Sequence, residues 1–387
     1  MSTDAPLADI TVVELARALS GPHAAMMLAD LGARVIKVEH PVGGDDTRGW
    51  GPPFIDGAAG AAAESTYFLS CNRNKESIAL DLKSADGVGV LEDLVRRADV
   101  LIENFRSGVL ERLGLGVARL QELNPRLVIL SITGFGHDGP EAARTGYDQI
   151  AQGEGGLMSL TGPSADEPTK VGVPIADLLA GMYGATGVLA ALHRRERTGR
   201  GDVVRTSLLS AVVGVHSYQG TRYTVAGEVP GPTGRYHRSI CPYGLFDCAD
   251  GSVQIAVGSD NLWRSFAPAF GIDRQEWQTN SQRVHDSDSV VTAVTAAFAD
   301  LTRDELLKKL AELGIPAGSV RALDEVYQWE QARSQGLLIE VEHATLGRIS
   351  LPGPPLRFDH SGAVDHHAPP VLGQHSATIR AWLDDSR

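Results

Sequence analysis

Apolar runs alternate with helix-length amphipathic segments along the first third of the chain. ITVVEL (10–15), ARVIKVE (33–39), SIALDL (77–82), VLIENF (100–105) and RLVILSITGFG (126–136) read as strands. Between them PHAAMMLADLG (22–32), GVGVLEDLVRRA (87–98) and the stretch around LERLGLGVARLQEL (110–123) read as helices. Strands separated by helices predict a parallel sheet covered on both faces. Continuous runs such as LVILSI fit strands buried on both sides.

The longest apolar run, VPIADLLAGMYGATGVLAAL (173–192), carries a single charge, Asp177. It ends in HRRERTGRG, with basic residues in the last turn and then Gly199 and Gly201, which predicts a helix over about 177–195. The run approaches the length of a membrane span. Asp177 near its start, its three glycines and the lack of a second span predict instead a buried helix of a soluble protein. The Gly- and Pro-rich segment 226–240 reads as a linker, and YGLFDCADGSVQIAVG as a hairpin turning at Ala249–Asp250–Gly251. NLWRSFAPAF and RDELLKKLAEL continue as helices. The expected architecture is a Rossmann-like α/β large domain (1–226 and 326–387) and a smaller α+β domain (227–325).

Composition narrows the function. At 387 residues the chain exceeds what one core usually supports. A formal charge of −13 argues against a general nucleic-acid binder, which needs a basic face. Cys71, Cys241 and Cys248 lack metal-ligand or disulfide spacing. MSTDAPLADI has no basic n-region followed by an apolar stretch, so a cytoplasmic location is expected.

The nucleotide and hydrolase signatures fail in turn. The first strand-to-helix turn reads ARALSGP without G-x-G-x-x-G, and there is no G-K-[ST]. TSLLS lacks the G-x-S-x-G elbow, and no H-E-x-x-H or comparable pattern occurs, so no metal site is expected. Asp177 reads either as a helix N-cap or as a carboxylate nucleophile steadied by helix N-terminal donors. TGYDQIAQGEGGLMSLTG (145–162) sets Tyr147 beside Asp148, followed by Gln149 and Gln152, and reads as a polar loop or as part of a site. Lys37, His40, Arg48, Arg73, Lys75, Lys83, Arg106 and Arg112 are scattered, several of them just past strand ends. Each reads as a solvated charge, or jointly as phosphate ligands.

VVELARALSGPHAAMMLADLGARVIKVEHPVGGDDTR, CNRNKESIALDLK, ENFRSGVLERLGLG, SITGFGHDGP, GYDQIAQGEGGLMSLTG, VGVPIADLLAGMYGATGVLAALHRRERTGRG, LGIPAGSVRALDEV and PPVLGQHS together resemble the family III CoA-transferases. That group also holds formyl-CoA and carnitine CoA-transferases and α-methylacyl-CoA racemases. The resemblance implies two chains wound as an interlocked homodimer, acyl-CoA and a carboxylic acid as substrates, and no prosthetic group. It places the nucleophile at Asp177, which forms a mixed anhydride and then an aspartyl-CoA thioester, with Asp148 and Tyr147 close by. It puts CoA contacts at His40, Leu80, Lys83, Asn104 and Arg112, with Arg106 as a further phosphate partner. Leu19 stands where one branch has glutamine, and VGSDN (257–261) where that branch has a glycine run, so the oxalate and formyl pair is not expected. Tyr147 stands where the racemases have histidine, which favours transferase. A racemase and a non-catalytic CoA-binding protein are the alternatives.

Overall fold

The computed structural model describes residues 4–362 and 364–385, apart from the side chain of Ala59. Two compact units emerge, one made of 1–157, 171–226 and 330–387, the other of 158–170 and 227–329.

The larger unit is built on six strands: β1 (Thr11–Glu14), β2 (Arg34–Glu39), β3 (Lys75–Ala79), β4 (Val100–Glu103), β5 (Val128–Thr133) and β6 (Val203–Ser207). All pair in parallel, in the order β3-β2-β1-β4-β5-β6, which is the doubly wound order of dinucleotide-binding folds. Val12 lies opposite both Val35 and Val100, so β1 is central. The chain runs outward from β1 to β3 and then returns to β4 on the other side. That reversal opens a crevice outside the carboxyl ends of β1 and β4, where open α/β sheets bind ligands.

Alternation along each strand divides the core between the two faces. Val12, Val35, Val100, Val128 and Leu130 pack with helices α1 (Ser20–Asp30) and α5 (Ile175–Thr198). Val13, Ile36, Leu101 and Ile129 pack on the opposite face with α2 (Ala85–Arg97), α3 (Val117–Leu123) and the helix Ser376–Asp384. Two shorter helices, α4 (Asp148–Glu154) and α6 (Leu208–Gly214), flank α5.

The expected helix over 110–123 is broken into the turn Val109–Arg112 and α3. Gly114 takes a positive φ of 74°, which ends the first piece. The expected strand at 77–82 begins earlier, at Lys75, and stops at Ala79, because Asp81 and Ser84 form the turn that caps α2. Residues 148–154, read from sequence as a loop, form α4.

α5 begins at Ile175 and runs to Thr198, two residues earlier and three later than expected, and Gly199 closes it in the left-handed conformation. Gly187 lets α5 lie close on the sheet: a Cβ there would stand 2.5 Å from Val204 Cγ1. Buried Arg195 ties the last turn to Asp99 at 3.0 Å. By length and composition α5 passes for a membrane span, yet one face of it is packed on β5, β6 and α1.

In the second unit the hairpin Tyr243–Cys248 and Gly251–Ala256 pairs with Ala317–Ser319 in a three-stranded antiparallel sheet. Its helices bury Trp263, Phe266, Trp277 and Phe298 against that sheet.

Candidate active site

Asp177 occupies the third position of α5 and is partly exposed. It does not cap its own helix, contrary to the N-cap reading. The residue at the cap position is Pro174, and the capping carboxylate belongs to another helix: Asp148 Oδ1 accepts from the Ala176 amide at 2.8 Å and the Asp177 amide at 3.4 Å. Ile175 donates to Val173 O and Leu178 to Pro174 O. The four first-turn amides are therefore all taken, and the helix N-terminus has no donor left over for a reacting oxygen, contrary to the sequence expectation.

Asp148 is itself held by buried Gln152, whose Nε2 donates to Asp148 Oδ2 at 2.7 Å. The Gln152 carbonyl accepts from the Val171 amide at 2.9 Å, so one side chain links α4 to the segment entering α5. Burial and then the negative charge of Asp148 lift the Asp177 carboxyl from 3.8 to about 7, against a hydrogen bond with Ser20 that lowers it. This carboxylate is poised near neutrality.

Ser20 opens α1 and is buried. Its approach to α5 depends on Gly181, since a Cβ there would stand 2.7 Å from Ser20 O. Just before it, Ala18 holds a φ of 63°, unusual for a residue with a side chain. Asp45 fixes this turn by accepting from the Ala18 amide at 3.2 Å. His23, next on α1, is kept neutral: burial and then Lys75 and Arg73 lower it to about 4. Tyr67 packs with Leu19 and Leu178. Burial, then the charges of Asp177 and Cys71, push its phenol up to about 12, so it stays protonated.

Asp45 belongs to a buried ionic network that sequence reading mistook for possible phosphate ligands. Lys37 pairs with Glu14 and Asp45 at 2.8 Å each, and Lys75 pairs with the other oxygen of Glu14 at 2.8 Å. Arg48 pairs with Glu39 at 2.7 Å and Arg73 with Asp30. All four cations are buried or nearly so and already paired, which removes them from any phosphate-binding role. Burial opposes charge on Lys37, but Glu14, Asp45 and Glu39 outweigh it and hold the ammonium protonated. Lys37 and Glu39 stand among apolar residues in β2, and only the fold shows that such charges meet partners inside.

The remaining candidates follow the carboxyl ends of β2, β3 and β4. His40 follows β2, Leu80 and Lys83 follow β3, and Asn104, Arg106 and Arg112 follow β4. Leu80 is buried at 2% exposure, while Lys83, Arg106 and Arg112 are exposed and have no side-chain ion pair among the described residues. His40 is partly exposed, its Nδ1 engaged with the backbone of Val42 at 2.9 Å. Asn104 Oδ1 accepts from the Arg17 amide at 2.9 Å and its Nδ2 donates to Arg17 O at 2.7 Å, lacing together the loops after β1 and β4 at the crevice. Tyr147 is 61% exposed and makes no side-chain hydrogen bond among the described residues, so it does not join the Asp148–Asp177 pair within one chain. Ser20, Gln152 and Tyr67 gather round that pair. Nothing in their local sequence marked Ser20 or Tyr67, and Gln152 was marked only as polar.

A doubly wound α/β unit with a perturbed carboxylate beside its ligand crevice is the frame of a group-transfer enzyme. Residues 7–376 match the model of CoA-transferase family III, and the chain belongs to that family. It is similar to succinyl-CoA:glutarate CoA-transferase of Homo sapiens, 36% identical over 98% of this chain and 86% of that protein. It is also similar to succinate–glutarate CoA-transferase of Agrobacterium fabrum, 39% identical over 98% of this chain and 96% of that protein. A crystal structure of a CaiB/BaiF family protein from Brucella suis superposes with a TM-score of 0.87 at 39% identity, covering 99% of this chain and all of that one. The chain is a CoA-transferase, and its substrates are an acyl-CoA thioester and a carboxylate.

Proposed function

We propose that this enzyme moves CoA from succinyl-CoA to a short dicarboxylic acid through a covalent aspartyl intermediate at Asp177. One observation carries the assignment of the nucleophile: the only charged side chain of the apolar run 173–192 is a carboxylate raised to about 7 beside Asp148. The substrate pair is supported by two relatives named for succinyl-CoA or succinate and glutarate.

In this mechanism an Asp177 oxygen adds to the thioester carbonyl. The C–S bond breaks, its electron pair leaves with the CoA thiolate, and an acyl-aspartyl anhydride remains. The thiolate then attacks the Asp177 acyl carbon, giving an aspartyl-CoA thioester and releasing the first acid as its carboxylate. The acceptor carboxylate repeats the two steps in reverse order and restores Asp177. No net proton is consumed. A carboxylate destabilised by burial and by Asp148 gains when attack disperses its charge. Ser20 and Gly21, at the start of α1, have amides without acceptors among the described residues, and they are the donors assigned to the developing oxyanion. His40, Leu80, Lys83, Asn104, Arg106 and Arg112 are assigned to CoA, the three free cations to its phosphates. Tyr147 on the exposed edge of α4, with Met182, Tyr183 and Leu189 on the outer face of α5, is assigned to a surface covered by a second copy in a homodimer.

The test is CoA exchange between succinyl-CoA and isotopically labelled glutarate, followed by mass spectrometry. Labelled glutaryl-CoA is expected from the native chain, and hydroxylamine added during turnover should modify Asp177 alone. Asp177→Asn should bind CoA yet give no labelled product. Exchange by that variant would refute the nucleophile, and α-deuterium wash-in without acceptor acid would favour a racemase.

A further inference from the structure

The mechanism above uses Asp177 and leaves unexplained why a fully buried glutamine stands behind its neighbour. Gln152 is completely excluded from solvent and makes two bonds of opposite polarity: it donates to Asp148 Oδ2 and accepts from the Val171 amide. Those partners, an acceptor-only carboxylate and a donor-only amide, fix which end of the side chain points where. Asp148 in turn spends its other oxygen on the amides of Ala176 and Asp177. The chain of contacts therefore runs Val171–Gln152–Asp148–Asp177 and meets the backbone just before α5, which begins at Ile175.

We propose that Gln152 is a positioning residue for CoA transfer, clamping Asp148 in the place from which it both caps α5 and presents its charge to Asp177. This inference rests on Asp177 being the nucleophile. The position needs a neutral group that both donates and accepts, and at neutral or higher pH the primary amide of glutamine is such a group. Leucine offers neither bond, and an ionised glutamate accepts from Val171 but repels Asp148. Without the clamp, Asp148 is free to turn toward water, the first turn of α5 loses its external cap, and the reacting oxygen shifts. A displacement of about 1 Å at a nucleophile lowers turnover on the order of a hundredfold.

The groups acting on Asp177 are Asp148 from α4, Ser20 from α1 and Tyr67 from helix 66–70, while His23 of α1 lies against Gly181 one turn further along α5. His23 is neutral and Tyr67 protonated at neutral pH, so among these groups Asp148 is the one whose negative charge raises Asp177. Loss of the clamp should thus be visible in the pH profile as well as in the rate.

The experiment measures kcat, KM and their pH dependence for the full-length enzyme with succinyl-CoA and glutarate. In Gln152→Leu, kcat at pH 8 should fall about a hundredfold, with KM for the acyl-CoA changed less than about twofold. Its acidic limb should move to lower pH by about half a unit or more, as the Asp148 charge withdraws. In Gln152→Glu the protonated carboxyl restores both bonds, so activity relative to the native enzyme should rise as the pH falls from 8 to 6. A folded, CoA-binding Gln152→Leu enzyme that keeps kcat within about threefold, or keeps the native acidic limb, would overturn the proposal. Exchange that survives Asp177→Asn would instead overturn the nucleophile itself, and this inference with it.

Discussion

Asp177→Asn should make the protein more stable while ending transfer. A carboxyl lifted from 3.8 to about 7 is disfavoured in the folded state by about 1.4 kcal/mol for each pH unit, or about 4 kcal/mol in all when it is fully ionised. Partial exposure screens some of this, and the α5 dipole returns about 0.3–1 kcal/mol to a negative group in the first turn. The expected gain on removing the charge is then about 2 kcal/mol. Its sign follows from the raised pKa: the folded state binds the proton more tightly than the unfolded chain does. The penalty is therefore absent below 3.8, grows as pH rises, and is complete above about 7. Thermal unfolding of the native and Asp177→Asn proteins, followed from pH 5 to pH 8, is the assay. The variant should melt about 2–4 °C higher at pH 8, with roughly half of that gain, or less, left at pH 5. A variant that melts at or below the native protein at pH 8, or whose advantage does not change with pH, would show that Asp177 is not held in a disfavoured ionised state.

Two further outcomes follow from the frame around the site. Lys37→Met leaves Glu14 and Asp45 buried without their shared ammonium, and should destabilise the protein by about 3–5 kcal/mol in chemical denaturation; a loss below about 1 kcal/mol would mean that the network relaxes or admits water. Gly181→Ala should gain about 1 kcal/mol on helix propensity alone, yet its Cβ would stand 2.7 Å from the backbone oxygen of Ser20, so a net loss of about 1–2 kcal/mol and a lower kcat are expected, measured by thermal melting and the exchange assay.

Strand and helix alternation was legible because the periodicity that buries a strand on both faces is local in sequence, and β1, β2, β4 and β5 lie where the apolar runs put them. The break at Gly114 was missed because a glycine ends a helix only when its φ turns positive, and nothing in LERLGLGVARLQEL says which glycine will do so. The resemblance, spread over eight segments, pointed to the family and to Asp177 as the nucleophile.

Charge environment was decided by the tertiary structure. Lys37 and Lys75 look like Lys83 in sequence, but the first two lie inside strands whose register aims them at Glu14, whereas Lys83 lies past a strand end in solvent. Asp177 resembled an N-cap because capping is usually local, and the cap is supplied instead from 29 residues away by Asp148. Sequence thus determined most of the strands and helices, the family and the one carboxylate of the apolar run. Only the packing of α1, α4 and α5 set what that carboxylate experiences, because desolvation and the field of a neighbouring charge depend on distances through space rather than along the chain.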